Sequence, residues 1–393
     1  MKYKVRTISE RVTVDRSEGF LNALFDETGD VPEPRPVDKP LVLYGGGNLG
    51  KMAKEYLDFV GIPVLGVVDR RAVSLQGDPF WSGVWVVHPD NVPPEWKGRA
   101  LLAVCIVTAP FTALVADLLS AGWGDVVPFY DVTEAYRDRH PLSNGWFLGL
   151  PGQAELSAMS RVMKAWADDI SRAHFLQFLA WRRWRREWTF DQAPITTTDR
   201  YFIPEVLPFV AQSRTFLDVG AHHGEVAARF MATCPGFREA WLIEPDQGNL
   251  RKLKEWSSLL GGGARSKITI IDRPVSSGGG VKPFFSGGGY MSQLSPLGRE
   301  KVLVDTIDHL DLAPSFIKLH LEGGELDALK GAQGTIAENR PLITLTVYHG
   351  VSGAWETPTW LREFFNHAAI RYDLYFRLHS WCGTGAVIYG IPR

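Results

Sequence analysis

Twice along this chain an apolar run ends in a glycine-rich turn and passes into a helical pattern, at LVLYGGGNLGKM (residues 41–52) and at TFLDVGAHHGEVAARF (residues 215–230). A strand that feeds a tight glycine turn and then a helix is the opening unit of an open parallel α/β sheet. The turn brings backbone N–H groups and the helix amino terminus to the carboxyl end of the strand. Two such units predict two α/β domains, and 393 residues leave each of them enough chain for a core of its own.

The composition narrows the partners. A net charge of -2, with 22% charged and 45% hydrophobic residues, creates no overall field toward nucleic acid or an anionic membrane, so any ligand must be found by a local site. The first residues, MKYKVRTISERVTVDRSEG, contain no apolar signal segment, and no uncharged apolar run approaches the length of a membrane span. The expectation is a cytoplasmic protein without membrane insertion. Cys105, Cys234 and Cys382 are odd in number and far apart, as befits ordinary small hydrophobes.

The first turn has the spacing G-x-G-x-x-G at Gly45, Gly47 and Gly50, with Asn48 inside it. The next apolar run, VLGVVD, ends in Asp69, where a dinucleotide fold places the carboxylate that holds a ribose hydroxyl. Taken alone, these residues predict an NAD(P)-dependent oxidoreductase. A strand LLAVCIVT, a helix near 111–121 and a strand VVPFY complete a small α/β unit over residues 39–140. Residues 1–38 read as an amino-terminal extension that ends in the proline-rich linker TGDVPEPRPVDKP, and residues 141–200 as a helical connector. In that connector WRRWRREW puts Trp181, Trp184 and Trp188 on one helical face ringed by arginines, the pattern of an interdomain seam with a solvated basic rim.

The second turn is spaced differently, as Asp218-x-Gly220-x-x-x-Gly224, with Ala221 and His222 inside it. A carboxylate at the end of the strand repels a pyrophosphate. It suits a ligand that carries a sulfonium and an ammonium group, as S-adenosylmethionine does. The following strand, AWLIEPD, ends in Glu244 and Pro245, where an acid can accept hydrogen bonds from both ribose hydroxyls, and ITIID ends in Asp272, beside the expected adenine. Residues 201–393 therefore read as the cofactor domain.

From this point the residues resemble the FkbM-type S-adenosylmethionine-dependent methyltransferases. The resemblance lies in FLDVGAHHGE, LIEPDQGNL, VDTIDHL and SFIKLHLEGGELDALKGA, and continues through RPLITLTVYHG, LYFRLHS and AVIYGI. The unit with YGGGNLG and GVVDR resembles the Rossmann-like domain that precedes the methyltransferase in some members. The resemblance implies a class I fold, a seven-stranded, mostly parallel sheet, preceded by a smaller Rossmann-like α/β domain. It also implies methyl transfer to a hydroxyl of a sugar, polyketide or other natural-product or polysaccharide intermediate. In a few members the acceptor is a peptide amide nitrogen. A small-molecule or carbohydrate substrate, no nucleic acid and room for a homodimer complete that expectation. Two departures stand out: His320 replaces the usual Asp of KIDVEG, and His222 replaces the Asn of the glycine turn.

Strand alternation in IKLHLEG places Lys318, His320 and Glu322 on one face, and the end of PLITLTVYH should bring His349 beside them. The preferred assignment makes His320 or His349 the general base, with Glu322 orienting an imidazole and no metal taking part. Backbone satisfaction of the histidines with Glu322 as a helix cap, or a divalent cation held by all three, are the competing assignments. His222 and His223 are expected to pack or to touch the cofactor. Tyr201, Phe202 and the loop GGGYMSQL should border its pocket, and Tyr348, Arg377 and His379 are offered as substrate contacts or core groups.

Overall fold

Strands buried on both faces must be covered from both sides, and this chain supplies several: LVLY at 41–44, LLAV at 101–104, FIKL at 316–319 and LITLT at 342–346 are buried at every position. In the computed structural model, which describes residues 3–142 and 145–393, they lie in two separate, mostly parallel sheets.

Strand β1 (Lys4–Ile8) and a helix at Val14–Phe25 come first. The first sheet then forms from β2 (Leu41–Tyr44), β3 (Val64–Val68), β4 (Val86–Val87), β5 (Leu101–Val104) and β6 (Val126–Pro128). Its order is β4-β3-β2-β5-β6, and all its pairings are parallel. The glycine turn follows β2 and opens the helix Asn48–Phe59. VVPFY is strand only to Pro128, and Phe129 and Tyr130 begin the helix Phe129–Glu134.

Helices at Gln153–Ala165 and Asp169–Trp184 lead into β7 (Arg186–Phe190), which pairs in parallel with β1. The amino-terminal segment is thus folded back onto the helical one. Trp188 lies on β7, so the tryptophans do not share one helical face. The basic rim is not solvated either: Arg182 and Arg185 are each 1% exposed. A guanidinium offers five donors and can be buried only where oxygens take them. Arg182 donates to the carbonyls of Gly145, Tyr348, Gly350 and Gly383, and Arg185 pairs with Asp131 at 2.9 Å.

The second sheet starts with β8 (Thr215–Val219), β9 (Glu239–Ile243) and β10 (Ile268–Ile271). An antiparallel insertion follows, β11 (Gly280–Phe285), β12 (Gln293–Leu294) and β13 (Glu300–Val304), before β14 (Phe316–Leu319), β15 (Leu342–Thr346), β16 (Tyr372–Leu378) and β17 (Ala386–Pro392) return to the main sheet. Its order, β10-β9-β8-β14-β15-β17-β16, with only β17 antiparallel to its neighbours, is the seven-stranded class I arrangement expected from the sequence. The insertion reaches the first domain: Met291 is buried in the first domain's core, and the Phe285 ring lies 5.2 Å from that of Phe59. Among the described residues no helix is long and apolar enough to cross a membrane.

Candidate active site

Chain order reverses between β8 and β14, and the turns that leave these two strands touch. His320 N donates to Val219 O at 3.0 Å, and a Cβ on Gly220, whose φ is +82°, would sit 2.1 Å from His320 O. That close approach explains the glycine. Two chambers open here and share Gly220, His222, Tyr290, His320 and Glu322 in their walls.

The smaller chamber, about 80 Å³, is also lined by Glu244, Pro245 and Asn249. Glu244 accepts from His222 N at 2.8 Å and from Asp246 N at 2.9 Å. Burial pushes its carboxyl up to about 7. Asp246 caps the helix Gln247–Ser258 through Gly248 N and Asn249 N, and its other oxygen accepts from Gly287 N at 2.6 Å and Ser292 Oγ at 2.8 Å. That pair of bonds fixes the tip of the insertion, where the Tyr290 ring stacks 3.9 Å from His222, which in turn lies 3.5 Å from His223.

The larger chamber, about 580 Å³, holds Arg200, Lys318, Tyr348 and His349, and takes Asn48, Leu49 and Met52 from the first domain. Glu322 lies between two imidazoles: Oε1 is 3.2 Å from His320 Nε2, and Oε2 is 3.1 Å from His349 Nδ1. The two Nε2 atoms are 3.3 Å apart. Tyr201 Oη reaches His320 Nδ1 at 2.9 Å, and Tyr348 Oη reaches Nε2 at 3.2 Å. Glu325, rather than Glu322, supports the turn before the helix Glu325–Lys330, accepting from Leu321 N and Gly323 N at 3.0 Å. Burial, aided by neighbouring cations, pushes both histidines well below their usual range, and burial raises Glu322. Both imidazoles are therefore held neutral, the form that can accept a proton.

The profile of the methyltransferase FkbM domain matches residues 218–372. This chain carries an FkbM methyltransferase domain. A crystal structure of a methyltransferase FkbM from Methylobacillus flagellatus KT, at 2.20 Å resolution, is similar over 97% of this chain and 100% of its own, with a TM-score of 0.63 at 19% identity. The likeness extends the shared fold beyond the FkbM domain to the amino-terminal unit. A precorrin-6y C5,15-methyltransferase from Geobacter metallireducens GS-15 covers 52% of this chain and 96% of its own, at 12% identity and a TM-score of 0.30. An rRNA methylase from Streptococcus thermophilus covers 48% and 95%, also at 12% and 0.30. No curated protein matches the chain.

Within the FkbM domain the residues expected at the cofactor divide into two groups. Gly220, His222, Glu244 and Pro245 line the smaller chamber and Ala221 the larger. Asp218 is fully buried and faces Lys318 Nζ at 2.8 Å, so its charge is spent inside the protein rather than offered to a ligand. Gly224, with φ at +94°, packs under Trp256. Asp272 is exposed beyond the end of β10 and lines neither chamber. His320, Glu322 and His349 do converge, but His320 and Glu322 lie past the end of β14, and Glu322 has φ at +52°. Simple alternation does not place them; the switch point does. Arg377 is tied to Asp168 and Glu205 at 2.6 Å, and His379 to Tyr389 Oη at 2.6 Å, both away from the chambers.

In the first domain Gly45, with φ at +105°, and Gly50, whose Cβ would sit 2.1 Å from Gly45 O, build a tight turn. Asp69 accepts from Gly46 N and Arg71 N at 2.7 Å, and Leu75 lies 2.5 Å from where a Gly46 side chain would start. Leu75 thus packs directly on the turn, and the Arg71 guanidinium lies 3.4 Å from the carboxylate. Asn48 instead lines the larger chamber. Sequence reasoning missed Arg182, which donates to the Tyr348 and Gly350 carbonyls of the loop after β15 and to those of Gly145 and Gly383, and Arg200, which lines the larger chamber.

Proposed function

We propose that the chain is an S-adenosylmethionine-dependent methyltransferase that methylates a hydroxyl of a sugar, polyketide or related natural-product intermediate. One observation carries this reading: a buried carboxylate, Glu244, that pairs with no cation among the described residues, and a proton-accepting cluster, His320–Glu322–His349, belong to chambers with common walls at the switch point. The residues present fit the cofactor. Gly220 leaves the backbone bare beside the chamber, Glu244 is placed to accept from ribose hydroxyls, and Asn249 and Pro245 border the same space. S-adenosylmethionine, when bound, supplies an electrophilic methyl group on sulfur. His320 or His349 then takes the acceptor's proton, and Glu322, in contact with both rings, steadies the imidazolium that forms. Tyr201 and Tyr348 hold the His320 ring in place, and the aromatic walls keep water out.

We take residues 39–140 as a Rossmann-like unit and residues 201–393 as the catalytic domain of a cytoplasmic enzyme. The Arg71 guanidinium 3.4 Å from Asp69 and the Leu75 side chain against Gly46 support the second turn over the first as the cofactor site. A second reading has a specific observation behind it: ligand atoms of His320, Glu322 and His349 lie within 4.8 Å of one another, a set that suits a divalent cation. Activity that survives chelation and does not rise with added Mn²⁺ or Mg²⁺ separates the two.

The deciding experiment is calorimetric titration of the full chain with S-adenosylhomocysteine, NAD and NADP in turn. Binding of S-adenosylhomocysteine alone is expected. Binding of NAD or NADP alone would overturn the reading and return the chemistry to the first turn.

A further inference from the structure

Five formally charged side chains line the larger chamber, and four of them are committed. Lys318 pairs with Asp218 at 2.8 Å and donates to Gly220 O at 2.6 Å. Arg229 donates to Thr198 O at 2.6 Å and lies over the Phe202 ring. Glu225 lies 3.7 Å from His222, and Glu322 lies between His320 and His349. Arg200 is the exception. Its guanidinium lies 5.9 Å from the Tyr348 ring, and among the described residues no carboxylate or carbonyl accepts from it.

An unanswered guanidinium in a half-buried position is costly, and it sits beside a cluster whose imidazoles burial keeps neutral. The chamber therefore holds a guanidinium whose hydrogen-bond donors are open to a ligand. Tyr130 lines the same chamber and offers a hydroxyl donor, while the Tyr201 and Tyr348 hydroxyls are engaged with His320. A planar fork of N–H groups is a receptor for a carboxylate or a phosphate, which accept two parallel hydrogen bonds from arginine.

We infer that the methyl acceptor carries an oxyanion, a carboxylate or a phosphate, that pairs with Arg200 while its hydroxyl faces the His320–Glu322–His349 cluster. This rests on reading the two chambers as cofactor and acceptor sites. It also gives the first domain a part in the reaction, because Asn48, Leu49 and Met52 close the chamber that would hold the rest of the acceptor.

The test uses the full chain saturated with S-adenosylhomocysteine and titrated with inorganic phosphate, with acetate and with neutral methyl glucoside, in wild type, Arg200→Gln and Arg200→Lys. At least one anion should bind the wild type. Its affinity should fall about tenfold or more in Arg200→Gln and be partly kept in Arg200→Lys, which preserves the charge but not the fork. Whichever anion binds names the group on the acceptor. Silence of both anions on the loaded wild type overturns the inference, and so does equal anion binding by Arg200→Gln. If Arg200→Gln instead weakens S-adenosylhomocysteine itself about tenfold, the guanidinium belongs to the cofactor's own carboxylate and the inference falls. A wild type that does not bind S-adenosylhomocysteine at all defeats the underlying reading instead, so the two failures are distinct.

Discussion

The two glycine turns are built alike and end differently. Each follows the strand at a switch point, and each lends a backbone N–H to an acid at the end of the neighbouring strand, Gly46 to Asp69 and His222 to Glu244. Each acid also accepts from the residue two places on, Arg71 or Asp246. Across the switch point Cys105 N donates to Tyr44 O, as His320 N donates to Val219 O. What differs is the space above the turn and the company of the acid. Leu75 packs against Gly46 of the first turn, and the N–H groups of Arg71 and Gly46, with the Arg71 guanidinium at 3.4 Å, hold the Asp69 carboxyl below the usual range. The second turn opens into a chamber, and Glu244, with no cation beside it, is raised to about 7. A shared backbone pattern is therefore compatible with a sealed turn and with an open one, and the side chains above it decide which.

The comparison breaks first at Cys105 and His320. His320→Ala should lower methyl transfer by about 10²–10⁴-fold, the usual worth of a positioned base, with S-adenosylhomocysteine affinity unchanged. Cys105→Ala, at the matching place, should leave turnover within about twofold, because burial keeps that thiol protonated and inert. Steady-state kinetics and calorimetry on both variants check this pair, and unchanged turnover in His320→Ala would remove the base from the mechanism.

A smaller contrast separates the two acids. Glu244→Ala should weaken S-adenosylhomocysteine about 50-fold, the worth of hydrogen bonds to a charged group. Asp69→Ala should leave that affinity within about twofold but cost roughly 1–3 kcal/mol of stability, since the N–H groups of Gly46 and Arg71 lose their acceptor. Calorimetry and denaturant unfolding read the two effects. A matching loss of cofactor affinity in Asp69→Ala would mean that the first turn is not sealed.

The smallest effect sharpens the role of Glu244. Its carboxyl sits near 7 in the ligand-free chain, and ribose hydroxyls donate best to the ionised form, so binding lowers that value and releases a proton. Affinity for S-adenosylhomocysteine should be flat above about pH 7 and fall by about tenfold from pH 8 to pH 6, while Glu244→Gln shows no such slope. A wild-type affinity independent of pH would place the cofactor away from this carboxylate.

Much of the site was legible because it is built from ends of strands. That Gly220 and Glu244 border one chamber followed from spacing, and that His320, Glu322 and His349 converge followed from the rule that side chains gather where chain order reverses. Asp218 was misjudged because its neighbour across the sheet, Lys318, lies 100 residues away in sequence. Asp272 failed for a related reason: ITIID stops at the edge of the sheet, past the chamber. The arginines of WRRWRREW looked like a surface because they are charged, and it is the carbonyls of distant loops around Arg182 and the Asp131 carboxylate beside Arg185 that answer them once buried.

By itself the sequence determined the two strand–turn–helix units, their parallel sheets and the chemistry available at each turn, because backbone sterics and apolar periodicity act over a few residues. Only the tertiary structure decided that the first turn is plugged by Leu75, that the second opens on a chamber, and that the first domain's helix Asn48–Phe59 helps wall that chamber beside Arg200. Open space, desolvation and an unbalanced charge are properties of surfaces that meet, and these surfaces come from segments more than a hundred residues apart.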